Sequence, residues 1–269
     1  MPELPEVETI ARNLLPALVG RKVIAAQLLW PHSLETPSPG EFQERLTGQV
    51  IRETGRRGKF IILKLSTEYL LIHLRMSGDL RVEADTGALT AHDRLVISLD
   101  DGQRLVFNDT RKFGRVWLVA DPASVTGDLG PEPLEDAFTP AVLYQALQAR
   151  RRQLKPLLLD QTFLAGLGNI YVDESLHRAR LHPLTPSQSV SPAQAEALWQ
   201  GIRATLQEGI HRHGASIDWI YRGGDFQNYF RVYQRTGQPC PLCGTPVERI
   251  LVGQRGTHYC PVCQPLSDG

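Results

Sequence analysis

Cys240-Pro-Leu-Cys243 and Cys260-Pro-Val-Cys263, with sixteen residues between the two pairs, contain all four cysteines of this 269-residue chain. Each two-residue gap lets a tight turn present both sulfurs from one side. The spacer is long enough for a β-hairpin, so four thiolates can converge tetrahedrally on one Zn2+. Two disulfides would be out of place in a cytoplasmic chain, and a redox pair would not need duplication. Four protein ligands leave no open coordination position, so this zinc ribbon serves the fold and not the chemistry. Between the pairs, Arg249, Gln254, Arg255, Thr257 and His258 gather near the expected hairpin tip, where they can meet phosphates or simply solvent.

Upstream of the ribbon, residues 140–214 read as helical. Ser191-Pro-Ala-Gln194 is a helix start, with a Ser cap, Pro in the first helical position and a Gln closing a capping box. Ala195, Leu198, Trp199, Ile202, Leu206 and Ile210 then mark one face, and Gly214 is placed to end the helix. Residues 121–140 are rich in Pro, Gly and Asp, the composition of an interdomain linker. Between 22 and 120 the chain carries short strand-like runs at 23–29, 60–65, 69–74, 95–99, 104–107 and 116–119, with Asp101-Gly102 as a hairpin turn. Such spacing argues for a β-sandwich or barrel. At the N-terminus Val7, Ile10, Ala11, Leu14, Leu15 and Leu18 recur at helical spacing, with Pro5 and several acids in the first turn. The expected fold class is therefore α+β and multidomain. An N-terminal helix with a β-sandwich fills 1–120, a linker 121–135, a helical domain 136–228 and the zinc ribbon with its β-hairpin 229–269.

Hydrophobic residues make up 42% and charged residues 22%, enough to bury a core. No apolar run approaches the roughly 18 residues of a membrane span. Glu3, Glu6 and Glu8 stand where a signal peptide would need positive charge. A cytoplasmic location with no membrane partner is expected. Lys plus Arg and Asp plus Glu both total 29, so the net charge gives no sign of a polyanionic partner. The distribution is less even, because residues 50–75 set Arg52, Arg56, Arg57, Lys59, Lys64 and Arg75 against only Glu53 and Glu68. A basic face on a neutral body can still bind phosphates. There is no Gly-x-Ser-x-Gly and no His-Glu-x-x-His, which leaves little room for a serine-triad or zinc-water hydrolase. His211 and His213 read as surface residues rather than ligands.

Met1-Pro-Glu-Leu-Pro-Glu-Val-Glu-Thr9 resembles the N-terminal signature of formamidopyrimidine-DNA glycosylases. His73-Leu-Arg-Met-Ser-Gly78, Asp109-Thr-Arg-Lys-Phe-Gly114, Leu129-Gly-Pro-Glu-Pro133, Lys155-Pro-Leu-Leu-Leu-Asp-Gln161, Gly166-Leu-Gly-Asn-Ile-Tyr171 and the terminal Cys-Pro-Val-Cys-Gln264 also resemble motifs of that family, in its order. The resemblance covers essentially the whole chain. It implies an N-terminal helix plus β-sandwich, a helix-two-turns-helix DNA-binding domain and a zinc finger. Leu4 between Glu3 and Pro5 favours the oxidised-purine branch over the endonuclease VIII branch, which opens Pro-Glu-Gly-Pro-Glu.

The resemblance also implies the chemistry. Once Met1 is trimmed, Pro2 presents a secondary amine, which attacks C1′ of a damaged nucleoside, expels the base and leaves a Schiff base that drives elimination at both phosphates. An α-amine ordinarily titrates at about 7.7–8.0, so a useful fraction of it is neutral at pH 7. Glu3 matches the general acid–base carboxylate and Glu6 a second acid near the site, where helix capping is an equal reading. Lys59, expected to open a strand, matches a phosphate-binding lysine beside the lesion. His92, Lys155, Asn169 and Arg255 join the expected DNA-binding set, Asn169 combining its amide with helix N-terminal N–H groups to hold phosphate. Flipping a nucleotide leaves a hole in the duplex. Phe113 matches the wedge inserted there, Arg111 the partner of the orphaned cytosine and Met76 the filler of the void. Taken without the resemblance, Met76 and Phe113 would go to the core. Residues 216–229, with Gly223-Gly224, match the lesion-sensing loop.

The activity implied is a bifunctional glycosylase and abasic-site lyase of base-excision repair, a monomer acting on double-stranded DNA with oxidised bases or abasic sites, with one structural Zn2+. An oxidised-pyrimidine glycosylase and a non-catalytic zinc-ribbon DNA binder are the rivals.

Overall fold

The computed structural model describes residues 1–217 and 223–266. The chain forms two compact units. One holds Met1–Pro2 and Glu6–Asp128; the other holds Glu3–Pro5, Leu129–Ala215 and the chain from Gly223 on.

Helix α1 (Leu4–Leu18) is followed by β1 (Val23–Leu28), β2 (Leu34–Thr36), α2 (Pro39–Leu46), β3 (Glu53–Arg57), β4 (Phe60–Lys64), β5 (Tyr69–His73), β6 (Gly78–Ala84), β7 (Asp93–Leu99), β8 (Gln103–Asp109), β9 (Arg115–Val119) and α3 (Ala123–Thr126). The strands make a four-stranded sheet, ordered β1-β7-β8-β6, and a five-stranded sheet, ordered β2-β9-β5-β4-β3. One apolar core joins them: Ile61, Leu63, Leu70, Ile72 and Val116 from the larger sheet meet Leu95, Ile97, Leu105 and Phe107 from the smaller, and Val7, Ile10, Leu14 and Leu18 of α1 pack into the same cluster. This is the expected sandwich. Leu15 turns outward, one position beyond the buried stripe.

All six predicted strands are present, and β2, β3, β6 and α2 are additional. The three extra strands are all sheet edges. Strand β2 has only three residues, and β3, Glu-Thr-Gly-Arg-Arg, has no aliphatic side chain for a pattern to catch. Helix α2 did carry a signal, since Ser38 and Glu41 close a capping box around it. The DG turn between β7 and β8 is where the sequence put it, as a three-residue loop.

In the second unit α4 (Pro140–Gln148), α5 (Leu154–Leu158), α6 (Asn169–Ala179) and α7 (Pro192–His211) precede a hairpin of β10 (Glu248–Val252) and β11 (Arg255–Tyr259). Ser191 caps α7 as predicted, accepting from Gln194 N at 3.2 Å while Gln194 Oε1 accepts from Ser191 N at 2.9 Å. The buried face of α7 includes Ala195, Leu198, Ile202 and Leu206 together with Gly201 and Gly209. A Cβ on Gly201 would lie 2.9 Å from the Ser175 carbonyl oxygen, so these glycines bring α7 unusually close to α6. Within 121–135 the chain is more than a bare connection. It forms α3, Glu132 is buried, and Gly130 N donates to Gln161 O at 2.8 Å.

Candidate active site

In the sandwich unit, Pro2 and Glu6 are buried and Lys59 occupies the two-residue turn between β3 and β4. It therefore sits at a hairpin tip and not at the first position of a strand. Its charge bears on His73 of the neighbouring strand β5, opposite Phe60: burial first, then Arg75 and Lys59, hold the His73 imidazole down at about 3. His73 is neutral, and its Nδ1 accepts from Arg75 N at 3.0 Å. The basic stretch is partly neutralised, since Arg56 pairs with Glu8 at 2.7 Å and Lys64 with Glu53 at 2.7 Å.

Met76 and Phe113 are 43% and 45% exposed, so the core assignment their composition invites is wrong. Two loops carry them. Between these loops, buried Ser77 hydrogen-bonds Asp109 through its hydroxyl, and that hydroxyl also accepts from Arg111 N at 3.1 Å. Asp109 Oδ2 takes Gly114 N at 2.7 Å. One carboxylate thus closes the 109–114 turn and ties it to the 73–78 turn. The Arg111 guanidinium lies 4.9 Å from the Phe113 ring centroid, and Lys112, in the left-handed region at φ 61°, stacks 4.0 Å from the ring centroid of Trp30. His92 is exposed, and its carbonyl accepts from Asp109 N at 2.9 Å.

In the helical unit, Glu3 is 3% exposed and its carboxylate accepts from Ile170 N at 3.1 Å and Tyr171 N at 3.3 Å, across the N-terminus of α6. The Gly-Leu-Gly-Asn run makes this seat. Gly166 adopts φ +89°, and a Cβ there would lie 2.6 Å from Leu4 Cδ1; a Cβ on Gly168 would lie 2.7 Å from Glu3 Cγ. The helix N–H groups expected to hold phosphate are therefore spent on Glu3. Asn169 is committed as well, its Nδ2 donating to Gly256 O at 3.0 Å.

Arg255 is exposed at the start of β11, beyond a two-residue turn in which Gly253 and Gln254 both take positive φ. Lys155 does not reach solvent, which corrects the expectation of a direct DNA contact. Its side chain is 0% exposed, and Nζ bonds Asp173 Oδ1 at 2.6 Å and Gly256 O at 3.2 Å. Burial pushes its ammonium down while Asp173 and Glu3 hold it up. Asp173 Oδ2 also accepts from His258 N at 2.9 Å. Lys155 and Asp173 thus anchor the strand that begins with Arg255.

The four cysteine sulfurs lie within 4.8 Å of one another, with Cys240 to Cys263 at 3.9 Å and Cys243 to Cys260 at 3.4 Å. Thiolates about 2.3 Å from a tetrahedral zinc stand about 3.8 Å apart, so this cluster fits one structural Zn2+.

Family models describe the same parts. The formamidopyrimidine-DNA glycosylase N-terminal domain matches residues 1–116, the H2TH domain of the same glycosylase 129–220, and a zinc finger found in FPG and IleRS 237–266. The chain is 48% identical to the formamidopyrimidine-DNA glycosylase of Chloroflexus aurantiacus over 98% of each chain, and 47% identical to that of Chloroflexus aggregans over 99% of each. It belongs to the formamidopyrimidine-DNA glycosylase family. Among solved structures, the Lactococcus lactis glycosylase in complex with abasic-site DNA is similar at a TM-score of 0.92 and 35% identity, covering 98% of this chain and all of that one. MutM in complex with carbocyclic 8-oxo-G containing DNA is similar at 0.93 and 36%. Among the described residues, no helix of this glycosylase is long and apolar enough to cross a membrane.

Sequence reasoning missed Ser77, Asp109, Asp173 and Trp30. Each works by holding another residue, and only the first two lie inside quoted motifs. Of the expected lesion-sensing loop, residues 218–222 lie outside the described residues. Phe226, further along it, is buried and stacked 5.3 Å from Tyr171.

Proposed function

We propose that this chain is a base-excision repair enzyme that removes oxidised purines, 8-oxoguanine and formamidopyrimidines, from duplex DNA and then cuts the strand. The carrying observation is the exposure of Met76 and Phe113 beside Arg111 on two loops tied by Ser77 and Asp109. Exposed apolar side chains next to a guanidinium are costly in water and useful inside an opened base stack.

In this reading the amine of trimmed Pro2 forms a bond to C1′ as the glycosidic bond breaks and the base leaves with a proton. Glu3, next in the chain and fixed on α6, protonates the ring oxygen as the sugar opens to the iminium. The iminium withdraws electrons from C2′, whose proton is lost as the 3′ phosphate departs, and elimination of the 5′ phosphate follows. Lys59, His92 and Arg255 act on phosphates, Asn169 holds the hairpin strand of Arg255 through the Gly256 carbonyl, Glu6 is a supporting acid, and Phe113, Arg111 and Met76 fill the vacated stack. The enzyme works as a monomer in the cytoplasm, associated with the nucleoid through DNA.

Borohydride trapping tests it. With 8-oxoguanine opposite cytosine, the Met1-trimmed chain is expected to give a covalent adduct, and a chain retaining Met1 none, because an acylated nitrogen is not nucleophilic. No adduct from the trimmed chain would leave the non-catalytic DNA binder standing, and preference for thymine glycol would move the enzyme to the pyrimidine branch. Phe113→Ala, at an exposed position, should change stability by less than about 0.5 kcal/mol. The same variant should lower single-turnover excision by on the order of tenfold, about 1.4 kcal/mol. Unaltered excision would remove the wedge role.

A further inference from the structure

His177, on α6, is fully buried, and its Nε2 lies 3.3 Å from Cys240 Sγ. Cys240 is one of the four sulfurs that converge on the metal position, and His177 is not. We propose that His177 is a positioning residue for the zinc site, donating a hydrogen bond from Nε2–H to the Cys240 thiolate and so retaining the metal.

The chemistry of the sulfur fixes the direction of the bond. A zinc thiolate has no proton to give and can only accept, so Nε2 carries the hydrogen and the imidazole is in that tautomer. The other ring nitrogen, Nδ1, is buried with no hydrogen-bond partner among the described residues, so nothing there competes for the proton. Four thiolates around Zn2+ leave a net charge of −2, with Cys240 and Cys260 buried, and charge on buried sulfurs needs compensation. A donor aimed at one sulfur supplies part of it. The role is second to coordination itself, in the way that groups bonded to metal ligands usually set affinity by about 10–100-fold.

The test uses the full zinc-loaded chain and zinc release to an excess of a chromogenic chelator. His177→Phe, which fills the space without a donor, should release zinc about tenfold faster, and His177→Gln, whose amide N–H can reach the same sulfur, should restore most of the retention. Co2+ exchanged into the site gives a second readout. A hydrogen bond draws charge from sulfur, so the sulfur-to-cobalt absorption should move to longer wavelength in His177→Phe and return in His177→Gln. An unchanged release rate or an unmoved band in the folded Phe variant would overturn the proposal. Should that variant not fold, His177→Asn, too short to reach Cys240, replaces it, and equal release from the Asn and Gln variants would overturn the proposal equally.

Discussion

Gly168→Ala is expected to reduce turnover on lesion-containing duplex by about a hundredfold while zinc content and the far-UV helix signal stay at parental values. The backbone at Gly168, φ −133°, is open to any residue, so strain is not the cause. The added methyl would fall inside van der Waals contact of the Glu3 side chain, whose carboxylate is held by Ile170 N and Tyr171 N. Glu3 must leave that seat or α6 must shift. Either moves the acid by about an ångström relative to the helix that sets it, a displacement that can cost about 10²-fold. The effect should be nearly absent in a Glu3→Gln background, because residues acting as a unit are not additive. Parental turnover in a folded Gly168→Ala chain would mean that the seat has no part in catalysis.

Asp173→Ala is expected to destabilise the helical unit by about 3–5 kcal/mol, the usual consequence of stranding a buried charge. Lys155 would keep its ammonium at zero exposure with the Gly256 carbonyl as its remaining hydrogen-bond partner among the described residues, and His258 N would lose its acceptor. Replacing both charges, Lys155→Met with Asp173→Leu, should cost less than either single change, since an apolar pair of similar volume is often neutral. Denaturant unfolding followed on this unit reads both, and a loss under about 1 kcal/mol for Asp173→Ala would show that the pair is not what docks the hairpin.

The parts legible in the sequence were those with local signatures. The cysteine spacing specified the ribbon, Ser191 and Gln194 specified the start of α7, and apolar runs found the inner strands of both sheets together with the edge strand β1. What escaped was set by partners distant in sequence. Strand β2 is only three residues long and β3, Glu-Thr-Gly-Arg-Arg, has no aliphatic side chain, so composition barely marks them, whereas β6 alternates Leu80, Val82 and Ala84 with polar residues and carried a period-2 signal. A lysine reads as a solvated or phosphate-facing charge, and Lys155 becomes a buried strut only because Asp173 stands opposite, eighteen residues on. The Gly166 and Gly168 pair, read alone, suits a simple turn as well as a phosphate seat, and it is the clearance that Leu4 and Glu3 require. Met76 and Phe113 show the reverse case, where apolar character predicts burial and the resemblance alone predicted exposure.

Helix α6 engages a different neighbour at almost every turn. Ile170 and Tyr171 hold Glu3, Asp173 holds Lys155 and His258, Glu174 takes the successive N–H groups of Arg231, Val232 and Tyr233 at 2.8–3.1 Å, and His177 faces Cys240. Glu174 is wholly buried, and that burial pushes its carboxyl up even against three donors. A helix advances about 1.5 Å and turns about 100° per residue. Deleting one residue early in α6 would therefore swing every later attachment a quarter-turn away from its mate, so the segment behaves like a key whose teeth must all align together. Length variation among working copies of this enzyme should accordingly be confined to the loops on either side of it.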